Sequence, residues 1–409
     1  MKVTHINYSD IEGGAARAAY RLHQALRSSG IDSKMLVDWA VSGDWTVDGH
    51  SNKLRKGIAK VRPTLGRMLF KPIVQFENLN SHSPSVLPSG RVDALNASDA
   101  DVLHLHWVQG EMLSIAEIGK LTKPMVWTLH DMWAFCGAEH YTEDLRWQHG
   151  YTTNNRPNHE SGFDLNRWVW KRKLKHWKKP IQIVTPSNWL AECVRNSTLM
   201  RDWPVTVIPN PIDTERWKPI DQGLARELLG LPKDKHLLLF GAIAGSKDPR
   251  KGFDLLQEAL GKLRGEILDT HLVIFGQASP KTPPDLGFPI HYTGHLHDDL
   301  SLQVLYSAAD AFVLPSRQDN LPNTGVEALA CGTPVVAFNT GGLPDIVDHQ
   351  NNGYLATAFN TDDLACGIKW VLHSSHYKKL RQKSRDYCKE QFHNTIIAAT
   401  YSLLYSSLR

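Results

Sequence analysis

Two carboxylates in the second half of the chain have the type and spacing of a hydroxyl-binding pair. Asp319 follows an apolar strand predicted at Ala311–Leu314, and Glu327 falls in the first turns of the next predicted helix. An ionised carboxylate only accepts hydrogen bonds and can take two hydroxyls together, as offered by a ribose diol or a hexose. We therefore assign Glu327 to a ribose and Asp319 to a hexose. The alternative interpretation is a loop cap and a solvated helix carboxylate.

The segment between these carboxylates is suited to a phosphate group. The backbone amides of Asn320 and Leu321 precede the predicted helix, and Asn323 or Thr324 is expected to cap it. Helix N-termini attract anions because their N–H groups point outward and the helix dipole is positive there. The same dipole favours an ionised Glu327.

A basic pair further upstream completes a possible diphosphate site. Arg250 and Lys251 follow a predicted strand, His236–Ile243, and precede a predicted helix. Charge and helix N–H groups converge at such a position, although an Arg-Lys pair on solvated surface is the alternative interpretation. The chain contains no Walker-type glycine loop, which disfavours ATP hydrolysis.

Two features of the first half follow predicted strands in the same way. Gly13 and Gly14 come after the first strand and would let the backbone approach a ligand, or would simply form a tight turn. His130 ends the strand predicted at Pro124–His130, where a histidine is either structural or in contact with a ligand.

Apolar strand patterns alternate with helical patterns throughout, as is typical of parallel α/β proteins. Further predicted strands are Lys2–Asn7, Asp101–Val108, Ile181–Pro186, Val205–Ile208, His271–Gly276, Ile290–Gly294 and Pro334–Phe338. Predicted helices include Ala15–Ser29, Asp254–Leu263, Asp298–Ala309 and a terminal stretch at Ser384–Leu408.

Two Rossmann-like domains account for this pattern and for the length of 409 residues. Pro209 and Pro211 mark the boundary, so we predict domains at 1–210 and 211–385 and a terminal helix at 386–409 that packs back on the first domain. A cleft is expected between the domains, at the carboxyl ends of the strands, where ligands of such folds bind.

Composition places the chain among globular proteins. Hydrophobic residues make up 42% and charged residues 22%, and no apolar run has the roughly 20 residues of a membrane span. The polar N-terminus, MKVTHINYSD, is unlike a signal peptide. Five scattered cysteines predict a reduced compartment and neither disulfides nor a zinc site. We therefore expect a cytoplasmic location.

The motif around the carboxylates resembles the signature of glycosyltransferase family 4. Asp319 and Glu327 bracket seven residues, and Ala-Leu-Ala-Cys-Gly-Thr-Pro-Val-Val and Gly341-Gly342 follow. Asp replaces the usual first Glu of the family and is one methylene shorter. Thr-Leu-His130-Asp-Met-Trp resembles a subset of the family involved in exopolysaccharide and colanic-acid-type synthesis, in which this histidine faces the donor sugar.

This resemblance implies a GT-B fold and a retaining hexosyltransferase that uses a nucleotide-diphosphate sugar and needs neither metal nor cofactor. It implies that Arg250 and Lys251 neutralise the leaving diphosphate and that the loop of Gly13 and Gly14 lies in the interdomain cleft. The turn at Tyr292–Leu296 resembles the one whose backbone contacts the nucleobase. The acceptor is then a glycan or a lipid-linked saccharide of cell-surface polysaccharide synthesis.

Two other functions stay open. A sugar-nucleotide epimerase shares the GT-B architecture, and a non-catalytic protein could bind sugar nucleotides with the same residues. A nicotinamide oxidoreductase is disfavoured because neither domain begins with the dinucleotide glycine fingerprint.

Two basic, aromatic stretches suggest an additional partner. Residues 51–76 and 167–179 each carry seven Lys/Arg, and neither stretch contains an acidic residue. Cations next to interfacial aromatic residues suit an anionic membrane surface, such as the cytoplasmic face of an inner membrane. Solvated helix faces are the alternative. Nucleic-acid binding is not expected, because no nucleic-acid-binding motif accompanies the charge.

Overall fold

The computed structural model describes residues 1–50, 52–71, 74–75, 82–158, 160–241, 248–296 and 298–408. It divides into two compact units, one formed by Met1–Pro211 with Thr395–Arg409 and the other by Ile212–Asn394. None of the helices it describes combines the length and the apolar character needed to span a bilayer.

The first unit is built on a parallel sheet. Its strands in spatial order are β3 (Val47–Asp48), β2 (Asp32–Trp39), β1 (Lys2–Ser9), β5 (Val102–Leu105), β6 (Met125–Thr128), β8 (Gln182–Thr185) and β9 (Val205–Val207). Its helices are α1 (Gly14–Ser28), α2 (Lys53–Met68), α3 (Val92–Ala97), α4 (Ile115–Ile118), α5 (Arg146–His149), α6 (Leu165–His176) and α7 (Asn188–Asn196). A separate antiparallel pair joins β4 (Val74–Gln75) to β7 (Ser161–Gly162).

Strand β2 was missing from the sequence prediction. It pairs with β1 in parallel along nearly its whole length, from Asp32 opposite Lys2 to Trp39 opposite Ser9. Its sequence, DSKMLVDW, mixes charged and apolar residues, so no apolar run stands out. Only pairing with the buried β1 supplies the contacts that make this segment a strand.

The second unit repeats the parallel α/β plan. Its strands in spatial order are β12 (Ile290–Gly294), β11 (Thr270–Phe275), β10 (His236–Gly241), β13 (Ala311–Leu314), β14 (Val335–Phe338) and β15 (Gly353–Ala356). Its helices are α8 (Gln222–Leu228), α9 (Phe253–Leu263), α10 (Asp299–Ala308), α11 (Asn323–Ala330), α12 (Thr361–Leu372) and α13 (Tyr377–Phe392). The sequence predicted that β10 extends to Ile243, but that residue lies outside the described residues.

The C-terminal stretch contains two helices where the sequence predicted one. Helix α13 runs to Phe392, whose side chain is buried in the core of the second unit together with Cys388. After His393, α14 (Asn394–Ser407) buries Tyr401 and Tyr405 in the first unit. The boundary predicted at residue 385 therefore shifts to Asn394, because the apolar face of α13 packs on the second unit.

Candidate functional site

In the second unit, the predicted phosphate and sugar residues form one charged cluster. The Lys251 Nζ atom lies 2.5 Å from Asp319 Oδ2, and Arg250 Nη1 lies 3.5 Å from Asp319 Oδ1. Asp319 is buried, and the Ser316 hydroxyl donates to Oδ2 at 3.3 Å. Asp319 is thus held against the two cations, an arrangement that sequence spacing did not indicate.

The charge of Asp319 depends on these neighbours. Burial raises its pKa, but Lys251 and Arg250, with hydrogen bonds from Lys251 and Ser316, hold it below its ordinary value. A carboxyl whose pKa is depressed on folding adds stability that is present at neutral pH and lost as the pH falls through the folded pKa. Asp319 is therefore ionised at neutral pH.

The backbone around this cluster is tightly constrained. Lys251 ends a 3₁₀ turn, Pro249–Lys251, and Gly252 adopts a left-handed conformation with φ 65° before α9 begins. A Cβ at Gly252 would lie 1.9 Å from the Pro315 carbonyl oxygen, so only glycine fits there. Because β10 and β13 are neighbours, their following loops meet at one edge of the sheet.

The loop after Asp319 packs against a second glycine. Gly341 has φ 57°, and a Cβ on it would lie 2.4 Å from the Asp319 carbonyl oxygen. Asn320 and Leu321 are both buried. The N-cap of α11 is Pro322, without a side-chain cap, so the expectation of a cap by Asn323 or Thr324 was wrong. Both residues instead lie inside the first turn.

Glu327 lies on α11 and is buried rather than solvated. The Tyr306 hydroxyl of α10 donates to its Oε2 atom at 3.1 Å. Tyr306 is itself fully buried and was not identified from the sequence, since only packing of α10 on α11 brings it near. This hydrogen bond fixes the orientation of one carboxylate oxygen.

The predicted nucleobase turn lies at the edge of the same sheet. Strand β12 ends at Gly294, whose carbonyl accepts from the Gly276 amide at 2.8 Å. Leu296, two residues later, is partly buried against the core of this unit.

In the first unit, Gly13 and Gly14 join β1 to α1. Gly13 has φ 94° and is the N-cap of the helix, so its position favours glycine. A Cβ at either residue would meet no atom within 4 Å. The pair is therefore an open turn at the carboxyl end of β1.

His130 follows β6 in the first unit and is partly exposed. Its Nε2 atom lies 3.2 Å from His106 Nδ1. Burial lowers the pKa of His130 to about 4 despite the opposing effect of Asp131, so the imidazole is neutral at pH 7. The neighbouring Asp131 accepts from the Trp107 indole at 3.0 Å and contacts His140 Nδ1 at 2.6 Å.

Sequence reasoning missed the residues that surround His130. His104 and His106 alternate along and beyond β5, and His5 lies on the adjacent β1. An inward-facing His-x-His pattern at a strand end was the available signal. Its partners on other strands become visible only in the folded sheet.

Two sequence families match the chain. The family described as "Glycosyltransferase Family 4" matches residues 12–216, which is half of the chain. The family described as "Glycosyl transferases group 1" matches residues 234–374.

Curated proteins with sequences similar to this chain are named as glycosyltransferases. The "D-inositol 3-phosphate glycosyltransferase" of Saccharomonospora viridis is 34% identical over 186 residues, or 41% of this chain and 41% of that protein. The chain therefore aligns with less than half the length of this curated relative.

Solved structures resemble the chain over nearly its full length. Sucrose-phosphate synthase from Thermosynechococcus elongatus has a TM-score of 0.68 at 18% identity, covering 100% of this chain and 99% of that one. The Anabaena protein HepE in complex with UDP-glucose has a TM-score of 0.66 at 15% identity, covering 100% of both chains. These likenesses confirm the prediction of two parallel-sheet domains of the GT-B type. With half of its residues matched by the family, the chain belongs to glycosyltransferase family 4.

Proposed function

We propose that the protein transfers a hexose from a nucleotide-diphosphate sugar to a saccharide acceptor, with retention of configuration and without a metal. The observation that carries this proposal is the pairing of the buried Asp319 with the partly exposed Lys251 and Arg250, at the sheet edge that also bears Glu327. Membership of glycosyltransferase family 4 supports it. HepE is described in complex with UDP-glucose, which makes UDP-sugars the first donors to test.

The cations and the carboxylates have separate roles in this reaction. The bond between the anomeric carbon and the diphosphate breaks, a bond to the acceptor oxygen forms, and the acceptor proton passes to the departing phosphate. Lys251 and Arg250 stabilise the charge that develops on the diphosphate. Glu327 accepts the ribose hydroxyls, Asp319 orients Lys251 and meets the sugar, and the neutral His130 imidazole contacts the sugar.

The donor test begins with thermal shifts against UDP-, GDP-, ADP- and dTDP-sugars. A ligand at a hundred times its Kd adds about 2.7 kcal/mol of stability, so the cognate donor should raise the melting temperature clearly. The transfer test then measures release of nucleoside diphosphate with a panel of glycan acceptors, and with D-inositol 3-phosphate as an additional acceptor because a relative is named for it. The anomeric configuration of the product is read by proton NMR, with and without EDTA.

These measurements separate the alternatives. Conversion of the sugar nucleotide without any acceptor would instead identify an epimerase. Donor binding without release of nucleoside diphosphate, across D-inositol 3-phosphate and a panel of glycan acceptors, would indicate a binding protein. If no sugar nucleotide shifts the melting temperature, the proposal is wrong.

The proposed acceptor is a glycan or lipid-linked saccharide of cell-surface polysaccharide synthesis. An anionic membrane surface is the expected partner, with the protein attached peripherally at the cytoplasmic face of the membrane. The basic charge of the two stretches at 51–76 and 167–179 supports this part of the proposal.

A further inference from the structure

Helix α2 exposes a continuous apolar stripe. The side chains of this stripe and their exposed fractions are Leu54 70%, Ile58 51%, Val61 49%, Leu65 47% and Met68 57%. Their spacing of four, three, four and three residues places them within an arc of roughly 100° on one helix face. Single exposed apolar residues are common in proteins, but a full stripe of this kind indicates an interaction surface.

The rest of the first unit fixes the direction of the stripe. Ala59 and Gly66 lie on the buried face, where a Cβ on Gly66 would be 2.3 Å from Glu111 Oε1. Arg62 donates to the carbonyl oxygens of Glu111, at 2.8 Å from Nη2, and of Leu87, at 3.0 Å. These contacts attach α2 by one face and leave the apolar stripe pointing away from the unit.

Charge on α2 selects the kind of partner. Lys53, Lys56 and Lys60 are exposed on α2, roughly 100–160° around the helix from the centre of the stripe, and residues 51–76 contain no acidic residue. A basic helix with an exposed apolar face and a separate cationic face matches an anionic bilayer, where the apolar residues enter the acyl boundary and the lysines attract the phosphates. A second copy of the chain is disfavoured, since a two-fold contact would bring these lysines together.

The other basic stretch has a different character. On α6, Val169 and Trp170 are buried, and Trp177 is buried with its indole donating to the Ile115 carbonyl at 2.9 Å. Lys173 is also buried and donates to the Trp133 and Gly137 carbonyls. The tryptophans that suggested an interfacial role for 167–179 therefore belong mainly to the core.

We propose that α2 is a membrane-binding helix that inserts its apolar stripe into an anionic phospholipid surface, while α6 does not insert. The proposal deepens the membrane part of the proposed function. It requires no catalytic activity, so vesicle binding and sugar transfer can fail independently.

Co-sedimentation with vesicles tests the helix directly. The wild-type protein should bind vesicles of equal parts phosphatidylglycerol and phosphatidylcholine, and bind pure phosphatidylcholine much more weakly. Combined Ile58→Ser, Val61→Ser and Leu65→Ser should weaken binding by roughly a hundredfold or more. Combined Lys53→Gln, Lys56→Gln and Lys60→Gln should weaken it by roughly a hundredfold at low salt.

The matched control neutralises three exposed lysines near or on α6: Lys171, Lys175 and Lys178, each changed to Gln. The fold-change in vesicle affinity of this variant should be less than one tenth of the fold-change of the α2 lysine variant. The altered side chains are exposed, so melting temperatures should change little. Equal losses in the two lysine variants, no binding by the wild type, or a dimer abolished by the serine variant would each overturn the proposal.

A second inference concerns a buried row of histidines in the first unit. His5 Nδ1 lies 2.9 Å from His106 Nε2, and His106 Nδ1 lies 3.2 Å from His130 Nε2. His104 stacks on His106 with ring centroids 4.2 Å apart and contacts the Tyr405 and Thr128 hydroxyls, each at 2.7 Å. The row thus leads from the interior of the sheet to His130.

The row is a hydrogen-bonded stack rather than a metal-ligand set. Nitrogen atoms of His5, His104 and His106 lie within 4.8 Å of one another. However, the His104 ring stacks on the His106 ring at an interplanar angle of 28°, and His5 Nδ1 and His106 Nε2 are already at hydrogen-bond distance, 2.9 Å apart. Lone pairs lie in the ring planes, so those of stacked rings do not converge on one point.

The end of the row determines where its protons lie. His5 Nε2 is buried, and no polar atom among the described residues pairs with it. A buried N–H without an acceptor is rarer than a bare acceptor, so His5 carries its proton on Nδ1 and donates to His106. A neutral imidazole has one donor and one acceptor, so His106 in turn donates from Nδ1 to His130 Nε2.

We infer that His5 and His106 are positioning residues that hold His130 in its Nδ1–H tautomer. Under the proposed function, His130 then acts toward a donor sugar or phosphate only as a hydrogen-bond donor at Nδ1. The neutral state of the row agrees with burial, which lowers the pKa of His5, His104 and His106 well below the ordinary value.

The tautomer of His130 can be measured without catalysis, by ¹⁵N NMR on protein labelled at its histidines. The His130 signal is the one that disappears in the His130→Asn protein. The wild type should show His130 protonated at Nδ1. His106→Phe should release this tautomer, whereas His106→Asn should preserve it, because the asparagine amide overlays the imidazole Nδ1. The exposed His376→Asn serves as the control and should leave the spectrum of His130 unchanged.

Kinetics then separate positioning from simple structural support. His106→Phe should lower kcat about tenfold with little change in donor KM. His106→Asn should have a kcat close to that of the wild type. In a His130→Asn background, His106→Phe should lower kcat little further, because both changes then affect the same interaction. An Nε2–H tautomer in the wild type, or one unaffected by His106→Phe, would overturn the inference even if transfer occurs. Absence of transfer with the expected tautomer would count against the proposed function alone.

Discussion

Replacement of Lys251 by Ala is expected to reduce sugar transfer by about a hundredfold to a thousandfold. Under the proposed function, Lys251 meets the negative charge that develops on the leaving diphosphate. Loss of one such preorganised donor typically lowers kcat by about 10²–10³. Release of nucleoside diphosphate under saturating donor measures the effect.

The same substitution has a structural effect that must be separated from catalysis. Among the described residues, Asp319 would keep only Arg250, whose Nη1 atom is 3.5 Å away, as its compensating cation. A buried polar group left under-compensated costs about 1–3 kcal/mol. Addition of Asp319→Asn should recover part of this stability, because the uncompensated charge is removed, but should not recover transfer.

A lysine of the same unit provides the control. Lys369 pairs with Glu266 at 2.7 Å on the surface, and Lys369→Ala should leave the melting temperature nearly unchanged and transfer intact. Transfer at the wild-type rate in the Lys251→Ala protein would contradict the phosphate role. So would a loss that Asp319→Asn fully reverses, since that result would mean a purely structural contribution.

Replacement of Glu327 by Gln is expected to weaken donor binding by roughly a hundredfold. Gln has the same size, but it exchanges a carboxylate that accepts two hydroxyls for a neutral amide. Hydrogen bonds to charged groups contribute about 1.5–3 kcal/mol each, so partial loss of two of them corresponds to this change in Kd. Calorimetric titration with the donor identified by thermal shift measures it.

A ligand lacking the hydroxyls sharpens the Glu327 prediction. The 2′,3′-dideoxyribose analogue of the same donor should bind the wild type about as weakly as the complete donor binds the Glu327→Gln protein. In the Glu327→Gln protein, removal of the hydroxyls should have little further effect, because the interaction is already lost. Equal, additive losses from the two changes would show that Glu327 acts elsewhere.

The predictability of the site differs between its parts. Arg250, Lys251, Asp319 and Glu327 were identified from residue type, from their positions after apolar strands and from a family motif. Each of these signals is local in sequence, and β10 and β13 occur where the apolar runs predict them. By contrast, strand β2 and the Tyr306 partner of Glu327 depend on contacts between segments that are far apart in the chain.

The sequence by itself determined the alternation of strands and helices, the two-domain plan and the family, because apolar periodicity and motif spacing are local properties. It also determined that the stretch at 51–76 is basic. Only the tertiary structure decided that Asp319 is buried against Lys251, since the loops after β10 and β13 meet through strand pairing. It also decided that α2 exposes its apolar stripe while α6 buries Leu165, Val169 and Trp170, because the contacts around each helix, and not its own composition, select the buried face.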